Sequence, residues 1–466
     1  MDKSGQEVGL REEEESGRAS ERPLLKGGGN SQSLPEFRSR DDLEKCRKSE
    51  LVSTVMKYQR YLFPDRVESP VVLEPKGERG FDWEKYSVRH IALHVAYLGW
   101  DYAGLSYQKN VELTIENVLV DACKTLKLIQ DIESSNWQRA GRTDKGVSSV
   151  GQVISVQVRS RSRSGIGVTR VGEGIGEGEE ELDYVAMLNG VLPSEIRVLG
   201  WKPVPDTFSA RFSAIYRIYK YYFAREEMDL EKMREGAKWF LGEHDFRNFC
   251  KMDAQRVSNY KRYIIHIDIE PADDGNPVQL YQVVIQGSAF LWHQVRCMVQ
   301  VLFMVGKGFE SPEVIREMLD LEKYPKKPIY PLASERALVL ESVGYFQLQF
   351  EVGIHAQRKL IQHIRGLWTQ KAIESQISRL MFENSFFALV NVQPRKKRHV
   401  NEVLPCQHSY SNLDRADFAL IPWADVQKDD TIESERKKWT PMTKRPREDS
   451  YEERIDRMAC RLKKVL

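Results

Sequence analysis

The chain has 466 residues, 41% hydrophobic and 30% charged, and its 70 Lys and Arg nearly balance 68 Asp and Glu for a formal net charge of +2. That length allows two or three domains' worth of core, while the even balance means that any surface for a polyanion must come from local segregation of charge. Six cysteines (Cys46, Cys123, Cys250, Cys297, Cys406, Cys460) without a Cys-x-x-Cys pair, and nine histidines without ligand spacing, argue against a zinc site or a disulfide framework.

Residues 1–80 are rich in Glu, Ser, Arg and Gly, which predicts a mostly disordered extension with one helix-like stretch at 51–62. The opening Met1-Asp2-Lys3-Ser4 and the run Glu12 to Glu15 hold no apolar segment and are too acidic for a transit peptide. No stretch approaches the ~18 apolar residues of a membrane span. A soluble intracellular protein is expected. Order begins where Ile91, Leu93, Val95 and Tyr97 alternate with Ala92, His94 and Ala96, a strand pattern. A loop follows at 99–104. Thr114 then caps a helix whose face is Ile115, Val118, Leu119, Ala122 and Leu126.

The segment Ala140-Gly141-Arg142-Thr143-Asp144-Lys145-Gly146-Val147-Ser148 sets two cations, a hydroxyl and a carboxylate between glycines, ahead of an alternating strand at 152–158. Taken alone, Asp-Lys-Gly reads as a surface turn; on the edge of a rigid sheet it can present a carboxylate. The run from Ser160 to Glu181, with its Ser-Arg repeats, has no apolar period and reads either as an insert that could bring arginines toward a bound polyanion or as a solvated insert with no role. Further strands are predicted at 216–223, 263–269, 280–285 and 338–343. Helices are predicted at 228–241, 294–305 and 311–319, the last with Ser311 as N-cap and Pro312 in the first turn. Such strands with interspersed helices indicate an α+β fold with a mainly antiparallel sheet. Beyond 351 a charged extension carries the patch Phe386-Phe387-Ala388-Leu389-Val390. It also holds two basic runs, Pro394-Arg395-Lys396-Lys397-Arg398 and Lys444-Arg445-Pro446-Arg447, each readable as an import signal, an RNA contact or a solvated face.

Two more blocks bear on chemistry. In Tyr216-Arg217-Ile218-Tyr219-Lys220-Tyr221-Tyr222, period-2 spacing puts Arg217, Tyr219 and Tyr221 on one face. Aromatics interleaved with cations on a sheet can stack on bases and hold phosphates, or simply pack a core. In Phe290-Leu291-Trp292-His293-Gln294-Val295-Arg296, the cation Arg296 sits on a helix expected to be largely buried. A buried guanidinium needs a carboxylate partner, and Asp144 is the obvious candidate.

These three blocks, in this order, resemble the signature of the TruA-type tRNA pseudouridine synthases. Leu188-Asn189-Gly190-Val191-Leu192-Pro193 and the stretch from Gly242 to Asp253 add to the likeness. Lys145, Trp292-His293-Gln294 and the near-terminal Lys444 to Arg447 are similar to the eukaryotic branch that modifies uridines 38 and 39 of the anticodon arm. Ser149, where Ala is usual, and the long insert after Arg159 depart from the pattern. The resemblance implies a two-half catalytic domain, 81–213 and 214–350, with a cleft between the halves and no cofactor or metal. It implies Asp144 as the catalytic carboxylate, Tyr219 stacking on the base, Arg296 pairing with Asp144, and Arg142, Lys145 and Arg217 contacting substrate. It further implies tRNA as partner, a homodimer and no membrane; nucleus and cytoplasm are the expected locations. The rival readings are the same chemistry at other tRNA or mRNA uridines, and an RNA-binding or tRNA-folding protein without turnover.

Overall fold

Alternation in β1, Ser87–Tyr97, puts Ile91, Leu93, Val95 and Tyr97 on one face and Ala92 on the other, and all five are buried. Both faces of this strand are therefore covered, as its near-continuous apolar run requires. The structure is a computed structural model that describes residues 81–108, 113–174, 176, 180–272, 279–390 and 438–463. The expected extension at 1–80 with its helix at 51–62, the basic run 394–398 and the side chains of 386–390 lie outside the described residues.

Nine further strands complete the sheet: β2 Gln138–Arg139, β3 Ser148–Ser160, β4 Val168–Arg170, β5 Ile196–Pro203, β6 Tyr216–Ala224, β7 Gly242–Asp245, β8 Lys261–Pro271, β9 Leu280–Gly287 and β10 Leu338–Gly344. Their order is β4-β1-β3-β10-β6-β9-β8-β7, with β2 on β3 and β5 on β1. Every pairing is antiparallel except β10 with β3, where Val339 lies opposite Ser148 and Leu340 opposite Ser149. The fold is α+β, and β10 is the seam that joins its N-terminal strands to its C-terminal ones.

Seven helices are described: α1 Ile115–Thr125, α2 Tyr184–Val191, α3 Leu230–Lys238, α4 Gln294–Gly306, α5 Glu313–Leu319, α6 Ile354–Val390 and α7 Tyr451–Lys463. Helix α1 is capped by Thr114, whose side chain accepts from Asn117 N, as its sequence predicts. With α2 it covers Ile91, Leu93, Ile154 and Val156 in one core. Helix α4 is buried along nearly its whole length and packs in a second core with Tyr219, Tyr221 and Phe223 of β6. Helix α5 starts later than expected: Pro312, not Ser311, takes the cap position, and no side chain caps it.

The segment after β3 is not featureless. Its β4 pairs with the edge of β1 at Val88 and Arg89, and Glu181 accepts from Arg89, Ser160 and Ser162. Because β3 has 13 residues, at about 3.3 Å each, Ser160 lies roughly 40 Å along the sheet from Ser148. The insert therefore sits at the far end of β3 from the Asp144 loop.

The charged tail beyond 351 also holds more order than composition suggested. Helix α6 runs for 37 residues, with Ala356 and Leu360 buried near its start and Trp368 73% exposed farther on. The run Lys444 to Arg447 is folded against the body. The Arg445 guanidinium donates to the Thr440 and Ile329 carbonyls and lies 4.2 Å from the Trp439 ring, and Arg447 lies 4.5 Å from that of Tyr324.

Candidate active site

The loop between β2 and β3 carries Asp144 at the seam of the sheet. Almost every residue of it is tied to a neighbour. Ala140 N donates to Val153 O, and Gln152 Nε2 to Gly141 O at 2.9 Å. Thr143 shares a 2.8 Å hydroxyl bond with buried Tyr97, and its carbonyl accepts from Leu105 N. Gly146 N donates to Tyr102 O, and Ser148 Oγ accepts from Gly99 N. Two glycines permit these approaches. A Cβ on Gly99 would run into the Val147 carbonyl, and one on Gly146, whose φ is +81°, would lie 2.7 Å from Glu335 Cγ. Ser149, the departure noted above, is accommodated: its buried hydroxyl donates to Leu340 O of β10.

Two side chains from the turn before α4 and one from the start of α4 face the Asp144 carboxylate, which is 27% exposed. Trp292 Nε1 donates to Oδ1 at 3.1 Å. His293 Nε2 stands 3.4 Å and Arg296 Nη1 3.9 Å from Oδ2. Residues 292 and 293 form the turn into α4, and His293, with φ 63°, adopts the left-handed conformation that brings the chain around. Burial pushes the His293 imidazole below its ordinary pKa, although the Asp144 charge opposes this, so the ring is neutral near neutrality. Lys251 Nζ lies 4.1 Å from the Trp292 ring centroid and Lys251 N donates to Trp292 O, which holds the indole in place.

Arg296 has a second carboxylate partner besides Asp144. Glu335 Oε2 accepts from Arg296 Nη2 at 2.8 Å and the Ala333 carbonyl from Nε at 2.7 Å, while Asp144 stands at the outer limit of pairing. The reason is geometric: a buried guanidinium presents five donors in a fixed fork, which one carboxylate cannot satisfy. Arg296 is therefore a bridge between Asp144 and Glu335.

Tyr219 of β6 lies on the buried face with Tyr221, as period-2 spacing requires, and its ring meets Phe290 edge-on at 5.1 Å. Burial, first of all, and then the neighbouring Tyr97 and Asp144 push its phenol well above the ordinary value, so the hydroxyl is neutral. Arg217 is engaged with backbone: its guanidinium donates to the Ser288, Ala140 and Arg211 carbonyls and so fastens the start of the Asp144 loop to β6. Arg142 and Lys145 point outward and are exposed on either side of Asp144. Sequence reasoning missed Trp292, His293 and Glu335 as neighbours of the carboxylate and its cation. A signal for His293 existed, since it stands only three residues before Arg296 in the chain. None existed for Glu335, which comes from a separate loop. Among the described residues no cluster of His, Cys, Asp or Glu could hold a metal ion, and no helix is long and apolar enough to cross a membrane.

Comparison with known proteins gives this arrangement a family. A family model described as tRNA pseudouridine synthase matches residues 237–346, the stretch that holds Trp292, His293, Arg296 and Glu335. A Homo sapiens protein described as tRNA pseudouridine(38/39) synthase is 41% identical over 312 residues, 65% of this chain and 65% of that protein. A Caenorhabditis elegans protein described as a probable tRNA pseudouridine synthase is 37% identical over 322 residues, 66% of this chain and 80% of its own length. A tRNA pseudouridine synthase A from Thermococcus sibiricus is 33% identical over 287 residues, 61% of this chain and 96% of that protein. The chain belongs to the tRNA pseudouridine synthase family. It spans 65% of the length of the mammalian relatives that it matches.

Proposed function

We propose that this chain isomerises uridine to pseudouridine in tRNA, at positions 38 and 39 of the anticodon arm. The observation that carries the reading is the Asp144 carboxylate, fixed by a rigid loop at the sheet seam and faced by Trp292, His293 and Arg296. The relatives described as tRNA pseudouridine(38/39) synthase support the positions. In the reaction the C1′–N1 bond breaks, the base turns while held, a C1′–C5 bond forms, the C5 proton leaves and N1 gains one. Asp144 supplies the carboxylate, beside a base taken out of its stack. Tyr219 is proposed to stack on that base. Arg296 keeps the carboxylate aimed.

Arg142 and Lys145 are proposed to meet the RNA backbone, and Arg217 to act on substrate through the loop it fastens. Segments 81–213 and 214–350 are proposed as the two halves that close on the RNA, in a homodimer working in nucleus and cytoplasm. Mass measurement in solution and imaging of the tagged chain test these last two points.

The experiment for the central reading is Asp144→Asn assayed by tritium release from tRNA carrying 5-tritiated uridine. Turnover should vanish with tRNA affinity kept within about three-fold, because the carboxamide preserves shape but not charge. Retained turnover refutes the assignment. Binding without turnover by the unaltered chain would favour the tRNA-folding reading, and mapping pseudouridine in single-position uridine variants would show whether other sites are the true targets.

A further inference from the structure

We infer that the C-terminal segment from Lys438 to Lys463 is an internal brace for the reaction centre, with Trp439 and Glu448 as positioning residues. The inference rests on the isomerase reading for its kinetic consequence but not for its structural one.

Arg296 depends on two groups from a single loop, Ala333 and Glu335. That loop, 324–335, follows α5 and has no strand or helix of its own before the short turn Glu335–Ala337. A loop of this length left on the surface would hold neither group to the tolerance that a buried guanidinium demands. What holds its outer side is the far end of the chain. Pro328 and Arg447 form a β-bridge, Ile329 N donates to Pro446 O and Glu448 N to Lys327 O, each at 2.9 Å. Lys327, only 7% exposed, pairs with Glu448 at 3.2 Å, and Glu448 also accepts from Arg454 of α7. The Arg445 guanidinium donates to the Ile329 carbonyl, and Arg447 covers Tyr324.

The brace is itself anchored. Trp439 stacks on Phe309 at 4.5 Å, and Glu310 accepts from both Trp439 Nε1 and Met442 N. Met442 is fully buried in the same core as α4. The inner side of the loop is fixed as well, since Tyr330 donates to Asn248 O and the Asn248 amide to Tyr324 O. A continuous series of contacts thus runs from Trp439 through the backbone pairing at 327–329 to Glu335, Arg296 and Asp144. The basic residues Arg445 and Arg447, which look in sequence like a free patch, serve this internal docking.

Trp439→Ala in the full chain tests it, with Trp439→Phe as the conservative partner. Hydrogen exchange in Trp439→Ala should quicken at 324–335 and stay unchanged in β1. Its turnover under saturating tRNA should fall about ten-fold or more, with the dissociation constant held within about two-fold, because the defect misplaces a group rather than removing an RNA contact. Trp439→Phe, which still stacks on Phe309, should recover most of the rate. Should Trp439→Ala fail to fold, Glu448→Gln is read by the same measures. Unchanged turnover, equal loss of rate and affinity, or exchange that rises uniformly over the molecule would each overturn the brace. If the unaltered chain shows no turnover at all, the isomerase reading falls, and exchange at 324–335 alone decides the brace.

Discussion

At the scale of single residues, the decisive contrast is between Asp144 and the groups around it. An isolated carboxylate on a turn has no special reactivity; this one has an indole N–H on one oxygen and an imidazole and a guanidinium near the other. Arg296 is the member whose removal has the clearest consequence. In Arg296→Met the buried Ala333 carbonyl loses its donor and the Glu335 carboxylate, 38% exposed, loses its partner, which should cost about 1–3 kcal/mol of stability. Turnover should drop by about 10² or more as Asp144 loses its aim. Urea unfolding together with single-turnover rates checks both; a stable and active Arg296→Met would show the bridge to be ornamental.

Elements explain why that carboxylate is rigid. The loop at 140–148 is the crossing point of four pieces of chain: the end of β1, the Gly99–Gly104 loop, the start of β3 and the Glu335 turn. Their closeness demands that Gly99 have no side chain, because a methyl there would occupy the place of the Val147 carbonyl. Gly99→Ala should therefore destabilise by roughly 1–3 kcal/mol, as overpacking does. It should also lower turnover more than tRNA affinity. Denaturation midpoints and a comparison of rate with binding test this, and an unaffected Gly99→Ala protein would mean that the loop yields easily. The elements expected from periodicity are those whose apolar residues recur faithfully: β1, β3, α1, α4 and β6 all lie within a few residues of their predicted spans. Elements with weak patterns were illegible. Strand β4 has three residues inside a Ser-Arg-Gly stretch, and α6 hides among charges because its apolar positions do not keep one face.

For the whole molecule, buried histidines set a pH dependence. Burial lowers the pKa of His90, His94 and His293 from the ordinary 6.5. In the folded state these rings resist protonation, whereas in the unfolded chain they accept protons below about 6.5. Stability contributed by this difference is complete above 6.5 and is lost as pH falls through the lowered folded values. Urea midpoints at pH 7.5 and 5.5 should accordingly show the lower stability at 5.5. Replacement of His94, which stacks on Phe350, by Gln should shrink that difference. An equal difference in His94→Gln would remove His94 from the account.

What the sequence determined by itself is what local chemistry and repetition encode. Alternation wrote the strands, Thr114 wrote a helix start, and the glycine-flanked Arg142-Thr143-Asp144-Lys145 wrote a loop that offers a carboxylate. The resemblance carried by three ordered blocks was enough to point to the family. Only the tertiary structure decided which groups meet that carboxylate. Trp292 and His293 reach it because α4 enters through a left-handed turn, and Glu335 reaches Arg296 because β10 inserts beside β3 in parallel. It alone decided that Arg217 grips backbone, that the insert lies at the far end of β3, and that Arg445 and Arg447 dock on the body. The physical reason is common to all of these: each is a meeting of segments far apart in the chain, fixed by strand length and sheet order rather than by any residue's own preference.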